Sequence, residues 1–221
     1  MANFKKSVAV LAILIAAGSL FAASKKGGKD TSTMYAKLSL GYAGGSIEGG
    51  DFDYSGFEIV PAFGFVLPVL EDTEHFTLAI EPFLGLTFGS GDESKSGYRY
   101  DYDWDYDVTV INPGAMCILN FYFGKGAAKA LQKLVPYGGA GLSTPIKHYS
   151  IDYTYYTYDA DGNPTKQKAP SESDTDVSVK LNSMVGARYD FTDNFSALIE
   201  ANIGIFGDWI GSFRIGGMYR F

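Results

Sequence analysis

Ile210-Gly211-Ser212-Phe213-Arg214-Ile215-Gly216-Gly217-Met218-Tyr219-Arg220-Phe221 ends the chain. Taken in twos, Phe213, Ile215, Gly217, Tyr219 and Phe221 fall on one face. Ser212, Arg214, Gly216, Met218 and Arg220 fall on the other. A period of two marks a strand, whose successive side chains leave on opposite sides. One face is apolar, the other carries arginines, and the last residue is aromatic. A wall between lipid and a polar lumen has this pattern, with aromatics at the interface. The last strand of a soluble antiparallel sheet also alternates, so the rest of the chain must separate the two.

The amino end separates them. Lys5 and Lys6 precede an apolar run from Val8 to Ala17 that continues through Gly18 to the small residues Ala22 and Ala23. That is the charged, apolar and small-residue order of a secretory signal. Cleavage is expected after Ala22, Ala23 or Ser24, making 1–23 a signal peptide and 24–221 one barrel domain. The run is too short to span a bilayer comfortably as a helix, and no later segment is apolar enough. Cys117 is the only cysteine, so no intrachain disulfide forms and the amino terminus is not lipid-anchored. The chain reads as exported.

Composition narrows the class. With the signal gone, Lys and Arg fall from 18 to 16 against 25 Asp and Glu, a net charge of about −9. Such an acidic chain is a poor partner for nucleic acid. Tyr and Phe number 16 each and Gly 27, and short alternating runs recur, which reads as all-β.

Eight strands are expected. The first runs over about 34–43, with Ala36, Leu38, Leu40 and Tyr42 opposite Lys37, Ser39 and Gly41. The second (54–67) sets Phe57, Ile59, Phe63 and Phe65 against Glu58, Val60, Ala62 and Gly64. The third (76–88) carries Glu81 inside, and a polar connection from Gly89 to about Ser96 follows. The fourth continues to Phe123, a short helix is expected within 124–134, and the fifth covers 135–144. The longest insertion, Pro145 to Asp176, holds a Tyr cluster and an Asp161-Gly162-Asn163-Pro164 turn. The sixth places Lys180 and Arg188 inside, the seventh Glu200, and the closing strand Arg214.

Short turns after even strands alternate with long loops after odd ones, as in an up-and-down antiparallel barrel of the outer membrane. Both termini then lie at the short-turn end. Phe76, Phe121, Phe123, Tyr189, Tyr219 and Phe221 form a girdle there, and Trp104 and Trp209 lie near the other rim. Pro61, Pro82, Pro113 and Pro136 sit inside strands on the lipid face, where bulges or kinks are expected.

Pro136 to Leu142 (PYGGAGL) resembles the PYxGxG segment of the eight-stranded outer-membrane barrels of OmpW and opacity-protein type. Tyr219-Arg220-Phe221 resembles the closing signal read by the barrel-insertion machinery, which makes Tyr219 and Phe221 the assembly signal. The resemblance spans the mature chain in layout and these segments in letters. Likeness to OmpW implies a narrow conduit for small hydrophobic molecules. Likeness to the opacity and OmpX types implies a surface adhesin.

The inner charges, Lys37, Glu58, Glu81, Lys180, Arg188, Glu200 and Arg214, need partners. An eight-stranded lumen is narrow enough for side chains to fill, so the reading favours a plug of ion pairs over a gated pore. His148 and Ser150 resemble the HxS element of barrel lipid A deacylases, with Glu172 the candidate carboxylate. So short a match fixes no geometry, and the chain is read as no enzyme. The aromatics Tyr98, Tyr100, Tyr102, Trp104 and Tyr106 alternate with Asp, and Tyr153, Tyr155, Tyr156 and Tyr158 form a second cluster. They read as a ribbon continuing beyond the membrane and as a binding surface. If alternation persists through Asn112–Gly114 the first set faces the lumen axis; a bulge at Pro113 would turn it outward. The carboxylate row lacks EF-hand spacing, and no metal or cofactor is expected. The expected partners are outer-membrane lipid, the insertion machinery, and host or matrix ligands at the loops.

Overall fold

A computed structural model of the protein describes residues 34–47, 52–70, 75–97, 100–159, 162–204 and 210–221. The expected signal, Tyr98 and Trp209 lie outside them, as does the side chain of Tyr100. The strands are β1 (Met34–Ile47), β2 (Phe52–Leu67), β3 (Phe76–Gly97), β4 (Tyr100–Phe121), β5 (Leu134–Ser143), β6 (Ile146–Tyr158), β7 (Pro164–Lys168), β8 (Glu172–Val177), β9 (Lys180–Asp190), β10 (Phe195–Gly204) and β11 (Ile210–Arg220). A single-turn helix α1 (Lys129–Gln132) lies in the expected connection.

The strands close on themselves. Neighbours run β3-β2-β1-β11-β10-β9-β5-β4, and β4 pairs back to β3. All the pairings are antiparallel, so no edge is left in the barrel body. β5 and β6 are one wall strand, because Gly114↔Ser143 and Ile111↔Ile146 continue a single register on β4. β8 and β9 likewise continue one another along that strand, through Ile146↔Val177 and Ser143↔Lys180. The wall therefore has eight strands.

Two stretches expected as loops are strand. β3 runs on through Gly89–Ser96, paired residue for residue with β4 up to Gly97↔Tyr100. Most of the expected insertion is β6, β7 and β8. Gly89–Ser96 carries only Gly, Ser and charged residues, so the apolar–polar alternation that identifies a strand is missing there. At the β6–β7 turn, Gly162 takes φ +83°, a conformation open to glycine. Asn163 donates backbone and side-chain bonds to Asp159.

The prolines behave otherwise than expected. The β3–β4 register is unchanged across Pro82↔Ala115 and Leu84↔Pro113. β2–β3 pairing is interrupted around Pro61 and Pro82, yet Ile59↔Leu86 and Phe65↔Ile80 keep one register, so no residue is inserted. Each proline drops a ladder bond without a bulge. The register does shift between Lys168↔Thr154 and Glu172↔Ile151, where four residue steps oppose three. That is a bulge at Ala169–Ser171.

The outer face is apolar. Leu40, Tyr42, Val185, Ile199, Phe213 and Ile215 are all exposed, a belt that a water-soluble monomer does not tolerate. Rings line the short-turn rim, with centroid separations of 5.3 Å for Phe76–Phe121, 5.2 Å for Phe121–Phe123 and 5.3 Å for Tyr219–Phe221. No helix among the described residues is long and apolar enough to cross a membrane.

Candidate functional site

The inner face is layered. Nearest the short turns, the Arg188 guanidinium donates to Asn120 (2.6 Å) and to the Tyr122 hydroxyl (2.7 Å). Above it lies an apolar cluster of Tyr35, Met116, Ile118, Tyr137, Met184, Leu198 and Met218. A charged layer follows. Lys37 Nζ lies 2.5 Å from Glu81 and 3.1 Å from Glu200. Arg214 is bidentate on Glu58 at 2.7 and 3.1 Å and reaches Glu200 at 3.5 Å. The Tyr35 hydroxyl donates to Glu81 (2.8 Å), and the Tyr137 hydroxyl to Glu200 (3.0 Å). These five charged side chains are at most 5 % exposed, and each lies on a different strand. Beyond them a second apolar cluster, Tyr54, Tyr106, Val108, Val110 and Tyr149, caps the lumen.

All seven inner charges read from sequence are buried. The structure joins Lys37, Glu58, Glu81, Glu200 and Arg214 into one network, while Arg188 bonds at the short-turn end and buried Lys180 lies opposite Ser143 on the wall. Lys147 was missed. It is wholly buried, donates to the Ser46 carbonyl at 2.7 Å and lies 3.8 Å from Asp176. It falls in the stretch expected as a loop, although continuing the period of two from Val135 and Tyr137 places it inside.

Four wall strands rise beyond the rest as a ribbon of β3, β4, β6 and β7–β8. On its inner side Tyr102 is opposite Tyr155, and Trp104 is opposite Tyr153. Ring centroids are 5.9 Å apart for Tyr102–Trp104, 5.6 Å for Tyr102–Tyr153 and 5.9 Å for Tyr153–Tyr155. The phase is thus the persistent one, continuous with buried Tyr106, Val108 and Val110. Trp104 accordingly joins the inner face rather than a lipid-facing girdle. Tyr156 and Tyr158 lie on the ribbon's other side, where Lys166 sits 5.7 Å from the Tyr156 ring and the Tyr158 hydroxyl donates to Asp101. That bond raises the Tyr158 pKa above its ordinary value.

The same outer side carries Asp92, Asp105 and Asp152 in one cross-strand row. Lys168 relieves it by donating to Asp152 at 2.8 Å, and Ser171 donates as well; together they hold the Asp152 carboxyl below the usual carboxylate range. No group of three or more His, Cys, Asp or Glu among the described residues is placed to hold a metal ion. His148 and Ser150 also lie on this side, with His148 Nδ1 3.1 Å from the Thr175 hydroxyl. Glu172 pairs with Ile151 on the opposite face, so the carboxylate expected beside His148 and Ser150 is not brought to them.

A closed eight-stranded barrel, apolar without, charged and filled within, is a membrane-spanning β-barrel. Residues 10–221 match the family model described as outer membrane protein beta-barrel domain, and the chain belongs to that family. No curated relative matches it. Among solved structures, it is 18 % identical to Neisserial surface protein A, with TM-score 0.47, covering 87 % of this chain and 100 % of that one. It is 13 % identical to the outer membrane protein OprG from Pseudomonas aeruginosa, with TM-score 0.43, covering 86 % and 97 %. It is 16 % identical to the attachment invasion locus protein Ail of Yersinia pestis, solved with the heparin analogue sucrose octasulfate, with TM-score 0.37, covering 85 % and 99 %.

Proposed function

We propose that this outer-membrane barrel is a surface-interaction protein: a shut lumen carries an external ribbon whose aromatic inner face binds host or matrix ligands. The observation that carries the reading is the cross-strand stack of Tyr102, Trp104, Tyr153 and Tyr155. These are large, rigid side chains of the kind that dominate binding energy, held on strands rather than on a loose loop. Replacing all four by Ser, with the barrel's fold verified, should lower binding to cells or matrix by about tenfold or more. Unchanged binding would reduce the ribbon to a structural extension.

The plug supports the adhesin reading over the OmpW-like conduit, because each charge in the network has an opposite charge within reach. Planar-bilayer recordings of the refolded protein should show no steady conductance; steady conductance would favour the conduit. We also infer that 1–23 is the export signal, testable by sequencing the amino end of the exported protein. Tyr219 and Phe221 form the signal to the insertion machinery, and deleting Phe221 should slow assembly.

A further inference from the structure

Among the described residues the ribbon has two edges with no neighbouring strand, that of β7 and β8, which pair only with β6, and that of the upper part of β3. β2 pairs with β3 as far as Ser55↔Ser90, and the Asp53 carbonyl oxygen lies over Gly91. From Asp92 to Gly97, β3 still pairs with β4 on one side, while among the described residues no strand pairs with its other side. An open edge presents a row of backbone donors and acceptors ready to take another strand. We propose that this edge pairs with the same edge of a second copy of the chain standing in an apposed membrane.

The sequence of the edge, Asp92-Glu93-Ser94-Lys95-Ser96, is self-complementary about Ser94. A strand that pairs with its own copy does so about a two-fold axis, so every contact occurs twice. With Ser94 opposite Ser94 of the second copy, Glu93 faces Lys95 of that copy and Lys95 faces its Glu93. Asp92 faces Ser96. Centring the pair on residue 93 would instead oppose two glutamates, and centring it on residue 95 would oppose two lysines. Like charges directly opposite are unfavourable and unlike charges favourable, so charge selects the register centred on Ser94.

Glu93 and Lys95 are available for the exchange. Within one chain they are 3.8 Å apart, with side chains 34 % and 71 % exposed, a contact that holds little in water. Both lie on the aromatic side of the ribbon, Glu93 opposite Trp104 and Lys95 opposite Tyr102, with Lys95 Nζ 5.6 Å from the Trp104 ring centroid. Pairing two copies with these faces on one side makes a single continuous sheet.

Geometry then sets which copies can meet. The axis stands perpendicular to the joined sheet and reverses the direction of the strand. The same half-turn reverses the membrane normal. Two barrels in one membrane share that normal and cannot pair in this way, whereas barrels in facing membranes can. The contact is therefore a bridge between two outer surfaces. It rests on the external placement of the ribbon assumed in the preceding reading but uses the ribbon's edge, not its aromatic stack.

The test uses lipid vesicles carrying the full refolded chain with the ribbon outward, orientation verified by protease and fold by the shift in gel mobility on boiling. Wild-type vesicles should cluster, read by light scattering. Glu93→Lys places like positive charge at both positions and Lys95→Glu like negative charge, so each variant alone should lose clustering by about tenfold or more. Vesicles of the two variants mixed should cluster again, because each positive position then meets a negative one. The double exchange E93K/K95E should cluster by itself. Absence of wild-type clustering, single variants that cluster like wild type, or a mixture that fails to recover would each overturn the proposal. The clustering variants leave Tyr102, Trp104, Tyr153 and Tyr155 in place, whereas the aromatic reading is tested by replacing those four and measuring cell binding, so the two readings fail separately.

Discussion

Arg214 holds the charged layer together, and its removal has a calculable consequence. The guanidinium makes two bonds to Glu58, at 2.7 and 3.1 Å, and one to Glu200 at 3.5 Å, with the three side chains at most 5 % exposed. Arg214→Met keeps length and apolar bulk but leaves Glu58 buried without its cation. Glu200 retains Lys37 and Tyr137. Breaking a buried pair from one side costs about 3–5 kcal/mol, most of it the uncompensated charge left behind. Removing both members in E58M/R214M should therefore be milder than R214M alone. Urea unfolding in lipid vesicles, followed by tryptophan fluorescence and by gel mobility, measures both. At a slope of roughly 1–3 kcal/mol per molar urea, R214M should lower the midpoint by about 1 M or more, and the double variant should recover much of that. A double variant as unstable as the single one, or a single variant within about 1 kcal/mol of wild type, would refute a desolvated network.

Gly64 is the site of a steric test, because a Cβ there would lie 1.8 Å from Tyr35 Cζ. Gly64→Ala should displace the Tyr35 ring from Glu81 and cost about 1–3 kcal/mol in the same unfolding assay; a neutral result would mean that the ring is not held there. The Asp152–Lys168 contact should depend on pH in one direction. A carboxyl whose folded pKa is depressed contributes fully above its unfolded value near ~3.9, and that contribution is lost as pH falls through the folded value. Amide resonances of residues 166–171 should accordingly hold steady from neutral pH and move only below about pH 4; a midpoint above about pH 5 would contradict the sign.

What was legible in the sequence follows from what surrounds each strand. Inside the bilayer one face meets lipid and the other the lumen, so Lys37, Glu58, Glu81, Lys180, Arg188, Glu200 and Arg214 stand out against apolar neighbours, and all are buried. Above the rim Gly89–Ser96 carries only Gly, Ser and charged residues. Ser94, Lys95 and Ser96 therefore read as a connection, and Lys147 was lost inside a supposed loop, although both stretches are strand. The prolines misled for a different reason. A missing N–H can be absorbed by dropping one ladder bond, which no residue count reveals, so Pro113 leaves the register intact. The inner phase of Tyr102 and Trp104 follows directly from that intact register. Which carboxylate meets which cation was not legible at all, since Glu58 and Arg214 are 156 residues apart in the chain.

The distribution of the network over the strands bears on how the barrel closes. Lys37, Glu58 and Glu81 come from β1, β2 and β3, and Glu200 and Arg214 from β10 and β11. Three carboxylates meet two cations, and the hydroxyls of Tyr35 and Tyr137 supply further donors to Glu81 and Glu200. Until β11 is in place, Glu58 has no cation and the layer holds Lys37 alone against three acids. The closing strand thus delivers the missing charge to both ends of the chain at once, to Glu58 on β2 and Glu200 on β10, at the seam where β1 meets β11. A one-residue slip of β11 would turn Arg214 toward lipid, at a cost of about 2–4 kcal/mol near the midplane, and strip Glu58 of its partner as well. Both penalties fall on the same error, so the twelve residues from Ile210 to Phe221 carry in Arg214 the register of the seam they close.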